Sequence, residues 1–591
     1  RHKVDGRYRG IPWREAMQRI DRIAAGLLTV NETLAPRAAV TIVGVTSADW
    51  ICCDLAALSI GLRTVPIYAS LLPAEVGYVH ADTEAVVCIV EDGAHLEKVR
   101  QCRQGFTFFE QDYGPDKVRI QHLVVMDPTG VEPADDWESL ADLEARGAEH
   151  LDALREERKT RLAELTRDSV ATYTYTSGTT GPPKGVIQTH GNMISLLENV
   201  ESYAMFNQER VVDAGLFLFL PLAHSFGRLI ELGGVFYGSP IVIAGIPTFA
   251  DDLKLSRPGF VPAAPRVYEK VKSKLESAVA DAPPMRQRLF ALALAAGKAT
   301  IPYRAENRPL PLPLKVAHAA ADRVVLSGLR ARLGLDRCVA MLTGSAPISE
   351  EVHGFFLALG LNLLEAYGLT ETCPGLTMNR IDHFRLGTVG RAIEGVTIKI
   401  ADDGEILAKG PNITSGYLNR PEATEAAFDD DGWFMTGDLG SLDGDGFLKI
   451  TGRKKELIKT SGGKYVAPAK LEGRLKNDPL IGEAIVIGDR RNYCVALIAI
   501  DPEVLEEWAQ RTGHQAKPDS DAVRAHVQEV VDAMNRDLAS FESIKYFRVL
   551  PEALSVENGL LTASLKVKRK PVEQRYGELV DAMYENKHRA S

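Results

Sequence analysis

The first 130 residues alternate between stretches with a helical pattern and short apolar runs. Residues 13–30 repeat their apolar positions with a helical period, whereas residues 38–43 are rich in β-branched side chains. A helical segment at 50–62 and apolar runs at 64–67 and 85–90 follow. Helix-length segments between short apolar strands predict an α/β fold built on a sheet.

The pattern changes twice further along the chain. From about residue 387, short strands are separated by turns rich in glycine and aspartate, which predicts a β-rich lobe over 387–454. Strand-like runs at 484–487 and 495–500, followed by helical segments, predict a smaller α+β unit. We therefore expect a multidomain α/β protein with a large N-terminal domain, 1–454, and a small C-terminal domain, 455–591.

Size and composition agree with this division. The chain has 591 residues, more than one hydrophobic core can organise, and its 45% hydrophobic and 25% charged residues are ordinary globular values. A net charge of −10 provides no overall attraction to nucleic acid. Seven scattered cysteines without a CxxC pair predict a reducing compartment rather than a disulfide framework.

No stretch of the sequence predicts a membrane span. The most apolar region, 216–243, is interrupted by His224, Arg228 and Glu231, and the chain begins Arg-His-Lys without the apolar segment of a signal peptide. These features predict a soluble, cytoplasmic protein, with at most a peripheral contact at the inner face of the membrane.

One glycine- and threonine-rich stretch, 175–185 (YTSGTTGPPKG), predicts a phosphate-binding loop. Its glycines let the backbone bend around a ligand, its hydroxyls offer hydrogen-bond donors, and its lysine supplies a positive charge. The spacing differs from GxxxxGK[ST], so this is not a Walker A motif. An ordinary surface loop would explain the composition but not the order of residues. The candidate ligands are Thr176, Ser177, Gly178, Thr179, Thr180, Gly181 and Lys184.

Four later positions carry side chains suited to a nucleotide. Tyr367 offers a flat face that could stack on a purine, and Glu371 beside Thr370 provides the oxygen ligands that Mg²⁺ prefers. Asp438, which follows a glycine in a predicted tight turn, could accept hydrogen bonds from ribose hydroxyls. Arg453 could donate to the same sugar or to the α-phosphate. Taken singly, each is more often a packed or solvated residue.

Three further features have ordinary interpretations when taken alone. His224 lies in an apolar run and could be a core histidine. The sequence 443–446 (DGDG) suggests a calcium loop, but Phe447 occupies a ligand position, so a β-turn is favoured. The basic run 566–570 is short and lacks interleaved aromatic residues, which argues against nucleic-acid binding.

The ordered motifs together resemble those of the adenylate-forming superfamily, which includes acyl-CoA synthetases, peptide-synthetase adenylation domains and firefly-type luciferases. The resemblance covers nearly the whole chain, and each motif stands in the order found in that family. It implies two α/β sheets in the large domain and a mobile C-terminal domain. The matching stretches are 175–185, 221–224, 344–347, 365–372, 436–438, 452–459 and 565–569.

The resemblance also implies a role for particular residues. ATP, Mg²⁺ and coenzyme A would be the cofactors and co-substrates, with Thr176 and Glu371 at the metal and Lys455 at a hinge. The implied catalytic residues are Lys566, His224, Thr370 and Glu371. Besides the phosphate loop, the implied nucleotide-binding residues are Gly344, Ser345, Ala346, Glu365, Ala366, Tyr367, Gly368, Thr370, Asp438, Ile450 and Arg453.

Within the superfamily, the chain most resembles bacterial long-chain fatty-acid–CoA ligases. The stretches 223–228, 256–258, 265–270 and 431–438 carry this similarity, while Lys470, Gly227 and the pair 563–564 depart from the usual pattern. The implied reaction joins a medium- to long-chain fatty acid to AMP and then to coenzyme A. Alternatives are a fatty acyl-AMP ligase that loads a carrier protein, a luciferase-like oxygenase and a non-catalytic nucleotide sensor. The sequence leaves monomer and homodimer equally open.

Overall fold

The computed structural model describes residues 1–30, 34–176, 181–203, 209–562 and 564–585, and shows an α/β protein with a large N-terminal and a smaller C-terminal domain. The predicted fold class is confirmed. The strands of the first 392 residues are β1 (His2–Val4), β2 (Arg7–Arg9), β3 (Ala39–Val43), β4 (Arg63–Ile67), β5 (Val87–Val90), β6 (Phe106–Phe108), β7 (Gln111–Tyr113), β8 (His122–Val125), β9 (Glu138–Ser139), β10 (Val170–Thr176), β11 (Lys184–Thr189), β12 (Leu216–Leu218), β13 (Ile241–Ile243), β14 (Phe260–Ala263), β15 (Ala340–Thr343), β16 (Leu363–Tyr367), β17 (Thr377–Met378) and β18 (Arg391–Ala392).

Helices alternate with these strands. They are α1 (Trp13–Thr29), α2 (Ala48–Ser59), α3 (Pro73–Thr83), α4 (Gly93–Arg103), α5 (Leu140–His150), α6 (Arg155–Ala163), α7 (His190–Asn199), α8 (Glu209–Ala214), α9 (Ser225–Phe236), α10 (Phe249–Ser256), α11 (Pro265–Ala280), α12 (Pro284–Ala305), α13 (Leu312–Ala321), α14 (Ser327–Leu333) and α15 (Glu350–Ala358).

The remaining elements follow residue 396. The strands are β19 (Thr397–Ile400), β20 (Glu405–Lys409), β21 (Phe434–Leu442), β22 (Leu448–Arg453), β23 (Ile458–Lys459), β24 (Tyr465–Val466), β25 (Ile481–Ile487), β26 (Cys494–Ile500) and β27 (Ile544–Val549). The helices are α16 (Pro421–Glu425), α17 (Pro468–Leu475), α18 (Pro502–Thr512), α19 (Asp521–Asn535), α20 (Arg569–Arg575) and α21 (Gly577–Tyr584).

Two seven-stranded sheets organise the large domain. The first has the order β11-β10-β4-β3-β5-β8-β9 and is parallel except for the β10–β11 hairpin. Its central strand β3 is buried at every position, as expected for a parallel strand covered on both faces. The second sheet has the order β13-β12-β14-β15-β16-β17-β18.

The second sheet determines where polar side chains can meet. Its strands from β13 to β16 are parallel, so their carboxyl ends lie at one edge. The segments that leave this edge carry His224 after β12, Gly344 after β15 and Gly368 after β16. Ligands of open α/β sheets bind outside the carboxyl ends of the strands. The topology therefore gathers three separate sequence motifs at one place.

The predicted β-rich region contains an antiparallel sheet, β19-β20-β21-β22. Residues 443–446 form the turn between β21 and β22, as predicted, and Arg385 pairs with Asp443 and Asp445. The predicted tight turn at Asp438 was wrong. Asp438 lies inside β21, where Gly437 at φ +72° and an irregular register bend the strand instead of ending it.

The C-terminal domain has its own core around the sheet β25-β26-β27. Every residue of β26 is buried, because helices cover both faces of this short sheet. All seven cysteines are free thiols. Among the described residues, no helix is both long enough and apolar enough to cross a bilayer.

A buried cluster of charges lies between the two sheets of the large domain. Arg228 of α9 pairs with Asp54 of α2 at 2.8 Å, and its Nε lies 3.6 Å from Glu231. All three side chains are almost fully buried. Burial raises the pKa of Glu231 well above its usual value, and the charge of Asp54 raises it further. The protonated form of Glu231 is therefore favoured relative to an exposed carboxyl, while Arg228 and Asp54 form the ion pair of the cluster.

Replacing Glu231 with glutamine should make the protein more stable at alkaline pH. A carboxyl whose pKa is raised by folding stabilises the fold below its unfolded pKa of about 4.3, and this contribution is lost as the pH rises toward the folded value. Thermal unfolding midpoints between pH 5 and pH 8 should therefore fall less steeply for Glu231→Gln than for the wild type. The control is Glu422→Gln at an exposed position, which should leave the slope of unfolding midpoint against pH unchanged. Equal slopes for the wild type and both variants would contradict the argument.

Candidate active site

The predicted phosphate loop joins the two strands of a hairpin. Thr176 ends β10 and Lys184 begins β11, and the two residues are register partners. The positions 177–180 lie outside the described residues. The Lys184 ammonium lies 4.9 Å from the centre of the Tyr417 ring, and the Tyr417 hydroxyl donates to Glu371 Oε1 at 2.8 Å. Tyr417, which the sequence analysis missed, thus connects the lysine of the loop to the predicted metal ligand.

The segment carrying Thr370 and Glu371 is a short 3₁₀ turn that follows β16. Gln188 of β11 donates to the Thr370 carbonyl at 2.7 Å, and the Thr414 amide donates to the Glu371 carbonyl at 2.8 Å. These bonds fix the main chain from both sides, so the Glu371 carboxylate is held close to the loop. One carboxylate with neighbouring hydroxyls fits Mg²⁺ whose other ligands come from substrate phosphates.

The strand before this turn carries three of the predicted nucleotide residues. Glu365 and Ala366 precede Tyr367 on β16, beside the loop that begins at Gly344 after β15. Ser345 in that loop adopts φ +68°, and Ala346 after it is exposed. Burial raises the pKa of Glu365 to about 8. This carboxyl is consequently neutral over much of the physiological range.

Gly368 is required where the chain leaves β16. A Cβ atom on Gly368 would lie 1.6 Å from the carbonyl oxygen of Pro374, so no other residue fits without moving the backbone. The close approach folds 368–374 tightly against the end of the strand. It thereby determines the direction in which Thr370 and Glu371 leave the sheet.

Asp438 links β21 of the four-stranded antiparallel sheet to β16 of the second seven-stranded sheet. Its Oδ2 accepts from the Tyr367 hydroxyl at 2.7 Å, and its Oδ1 accepts from Arg453 Nε at 2.9 Å. Arg453 is its register partner on β22, and Ile450 packs against the main core from the same strand. Three predicted nucleotide residues that are distant in sequence thus form one hydrogen-bonded unit. Each carboxylate oxygen retains a second lone pair for a ligand.

His224 caps the amino end of α9 and is partly buried. Its Nδ1 accepts a hydrogen bond from the Phe226 amide at 3.1 Å, so the proton of the neutral ring is on Nε2. Burial lowers the pKa of His224 to about 4, and the positive charge of Lys566 contributes. The imidazole is therefore neutral at physiological pH and can donate a hydrogen bond from Nε2.

The C-terminal domain contributes Lys566 to this site. The backbone of this lysine is held by Thr562, whose side-chain oxygen accepts from the Lys566 amide at 3.0 Å. Although much of the residue is open to solvent, removal of the ammonium from bulk water lowers its pKa, and Arg453 lowers it further. The negative charges of Asp438 and Glu371 act in the opposite direction. Lys566 is thus within electrostatic reach of His224, Glu371, Asp438 and Arg453.

Ion pairs hold the two domains in this arrangement. Arg266 Nη2 lies 3.0 Å from Asp501 Oδ2, and Lys270 on the same helix lies 3.3 Å from Glu503. Lys568 approaches Glu75 of the large domain at 3.8 Å. The sequence analysis did not find these pairs. Charged residues on two surfaces carry no signal of their partner until the domains are placed together.

The predicted hinge residue lies between the two domains. Lys455 is the middle residue of a 3₁₀ turn, Lys454–Glu456, that follows β22 directly. The preceding Lys454 pairs with Asp403 and Glu405 of the β-rich lobe. The turn is therefore anchored on its N-terminal side, and Lys455 is the first residue beyond that anchor.

Solved structures with this fold are adenylation domains and related synthetases. The A domain of carboxylic acid reductase from Segniliparus rugosus, in complex with AMP and a co-purified carboxylic acid, aligns with a TM-score of 0.69 and 21% identity, covering 98% of this chain and 88% of that one. O-Succinylbenzoate CoA synthetase from Bacillus subtilis aligns with a TM-score of 0.65 and 20% identity, over 97% and 94% of the two chains. At these identities the likeness shows the fold.

Comparison with family profiles identifies the family of the chain as well as its fold. The AMP-binding enzyme profile matches residues 1–418, and the AMP-binding enzyme C-terminal domain profile matches residues 455–588. The chain belongs to the AMP-binding enzyme family. The long-chain-fatty-acid–CoA ligase FadD15 of Mycobacterium bovis is 36% identical over 603 residues, covering 98% of this chain and 93% of the relative. The long-chain-fatty-acid–CoA ligase ACSBG2 of Gallus gallus is 31% identical, over 92% and 74% of the two chains.

Proposed function

We propose that this ligase activates a medium- to long-chain fatty acid with ATP and transfers the acyl group to coenzyme A. The observation that carries the proposal is the convergence of Lys566 with His224, Glu371 and Asp438 at one edge of the second sheet. The resemblance predicted from the motifs agrees with the family match and with the names of the relatives. ATP, Mg²⁺ and coenzyme A follow as the co-substrates and metal of the reaction.

In the first half-reaction a carboxylate oxygen attacks the α-phosphorus of ATP. The new P–O bond gives acyl-AMP, and the bond to the β-phosphate breaks to release pyrophosphate. Lys184 and the loop it closes bind the outgoing phosphates, while Lys566 places a positive charge where the carboxylate and α-phosphate meet. Glu371 and Thr176 would hold Mg²⁺, which would neutralise part of the charge of the phosphates. Positioning and charge stabilisation are what such a displacement mainly requires.

His224 has a defined part in that step. A neutral imidazole whose Nε2 carries the proton can donate to the substrate carboxylate without neutralising it, so the nucleophile keeps its charge. A protonated imidazole would instead form an ion pair with the acid and weaken its attack. The neutral imidazole of His224 thus supports orientation of the acid rather than proton transfer.

In the second half-reaction the thiol sulfur of coenzyme A attacks the acyl carbon, and AMP leaves. We assign this step to a rotated arrangement in which the C-terminal domain, 455–591, turns about Lys455 and carries Lys566 away from the nucleotide. The domain 1–454 would keep the acyl-adenylate. Hinge residues are positions at the ends of elements that absorb torsional change, and the turn at Lys454–Glu456 lies directly after the end of β22.

We place the protein in the cytoplasm, with at most peripheral membrane contact and no nucleic-acid partner; its oligomeric state remains monomer or homodimer in this proposal.

A fatty acid as substrate is supported by the names of the relatives, which share 31–36% identity with this chain. Chain length is decided by apolar contacts, since each buried methylene contributes about 0.8 kcal/mol.

Pyrophosphate release across a panel of acids, with and without coenzyme A, tests the proposal. We expect activity on medium- and long-chain fatty acids, little on acetate, and stoichiometric consumption of the coenzyme A thiol. Pyrophosphate release without thiol consumption would indicate an acyl-AMP ligase that serves a carrier protein. Oxygen-dependent light emission would indicate a luciferase-like enzyme, and nucleotide binding without turnover would indicate a sensor. A preference for acetate or an amino acid would refute the substrate class.

A further inference from the structure

Two antiparallel helices on the large domain form an outward surface that we call the α12–α14 face. It consists of α12 and of the helix that runs from α13 through a π turn, Asp322–Leu326, into α14. The inner side of α12 buries Ala293, Thr300 and Ile301 against the domain. The outer sides of both helices are exposed.

Large apolar side chains line the outer sides at helical spacing. On α12, Met285, Leu289 and Leu292 recur at intervals of four and three residues, and Met285 and Leu292 are 66% and 69% exposed. On the second helix, Leu312, Val316 and Val324 recur at multiples of four, with exposures between 63% and 73%. Such stripes on a soluble domain mark an interaction surface, since exposed apolar patches of this kind are uncommon.

The charge of the same face is opposite to that of the protein. Residues 284–333 contain nine lysines and arginines and two acidic residues, in a chain whose net charge is −10. Six exposed cations of this segment form no ion pair with the described residues. They are Arg286, Arg288, Lys298, Lys315, Arg323 and Arg332.

We propose that the α12–α14 face docks on an anionic lipid surface. Helices that lie in a membrane interface combine a stripe of apolar side chains with basic residues that reach the headgroups. Basic residues attract anionic lipid, and the apolar stripe enters the boundary between headgroups and acyl chains. A nucleic acid would use the cations but not Leu292 or Val324. A second copy of this chain would place like charges opposite each other across a symmetric contact.

The choice of lipid rests in part on the proposed function, because a fatty-acid substrate partitions into membranes. An enzyme docked by this face would take its acid from the lipid phase instead of from dilute solution. The docking itself can nevertheless be measured without turnover, so its failure and a failure of the proposed activity are separate results.

Sedimentation with vesicles tests the docking. The vesicles are phosphatidylcholine alone and an equimolar mixture of phosphatidylcholine and phosphatidylglycerol. We expect the whole protein to bind the anionic vesicles at least tenfold more tightly, with the difference lost at high salt. The triple variant Arg286→Glu, Arg288→Glu and Arg323→Glu should lose at least tenfold in affinity. The matched variant Arg9→Glu, Arg14→Glu and Lys545→Glu changes the charge equally on other exposed surfaces and should bind like the wild type.

A second variant addresses the apolar stripe. Leu292→Gln with Val324→Gln should weaken binding to anionic vesicles severalfold without changing thermal stability, because both side chains are exposed. Turnover of a water-soluble medium-chain acid should be the same in all variants. No binding by the wild type, binding that ignores lipid charge, or equal loss in both triple variants would overturn the proposal. A dimer that the Leu292→Gln, Val324→Gln variant converts to monomer would assign the face to a second copy instead.

Discussion

Replacing Lys566 with alanine should lower the rate of acyl-adenylate formation by a factor of about 10² to 10³, the usual cost of removing one donor from developing charge in a transition state. The ammonium lies within electrostatic reach of Glu371, Asp438 and His224, and the neighbouring Glu456 of the C-terminal domain carries a negative charge that cannot replace it. Conversion of supplied acyl-adenylate to thioester should stay close to the wild-type rate. Pyrophosphate release and thiol consumption measure the two half-reactions separately.

The control for this result comes from the same basic run. Lys570 is exposed, forms no ion pair with the described residues, and follows Lys566 by four positions. Lys570→Ala should therefore leave both half-reactions unchanged. An equal loss in both half-reactions of Lys566→Ala would show a structural role for the lysine, and unchanged adenylation would remove it from the mechanism.

Replacing Lys455 with proline should have the opposite effect. Proline fixes φ near −65° and is tolerated in the first turn of a helix, so the arrangement described here can persist. Rotation about residue 455 requires a different torsion, which proline resists. We expect thioester formation from supplied acyl-adenylate to fall by roughly tenfold or more, with a much smaller effect on adenylation.

Lys455→Ala is the matched control, since it removes the same side chain but leaves φ free. It should retain both half-reactions, which separates the backbone effect from any role of the ammonium group. If alanine and proline reduce thioester formation equally, the side chain matters and the hinge assignment is wrong. If proline slows both half-reactions equally, the turn is required for the closed arrangement itself.

Much of the architecture could be predicted because it is encoded locally. The apolar period of 13–30 corresponds to α1, and the β-branched run at 38–43 corresponds to β3. The run at 495–500 lies within β26, which is apolar throughout because both its faces are covered. The resemblance of the ordered motifs implied one shared site, and the parallel strands β12, β14, β15 and β16 deliver the loops that follow them to one edge of the sheet.

The remaining features depend on tertiary placement. Tyr417 lies far from every motif, and only the folded chain brings its hydroxyl to Glu371 and its ring to Lys184. The predicted turn at Asp438 failed because glycine before aspartate indicates a bend, and a bulged strand satisfies that indication as well as a turn does. Partners across the domain interface, such as Arg266 and Asp501, have no local signature at all.

The ion pairs between the domains have a consequence for the speed of the catalytic cycle. The cations of the pairs Arg266–Asp501, Lys270–Glu503 and Lys568–Glu75 are all partly exposed, and such pairs contribute about 0–1 kcal/mol each. Their sum is at most about 3 kcal/mol, so they orient the domains without holding them permanently together. A tight apolar interface here would make domain opening the slowest event of every turnover. In the proposed cycle, these weak and partly exposed ion pairs would let the two arrangements exchange, and the chemical steps could then limit the rate.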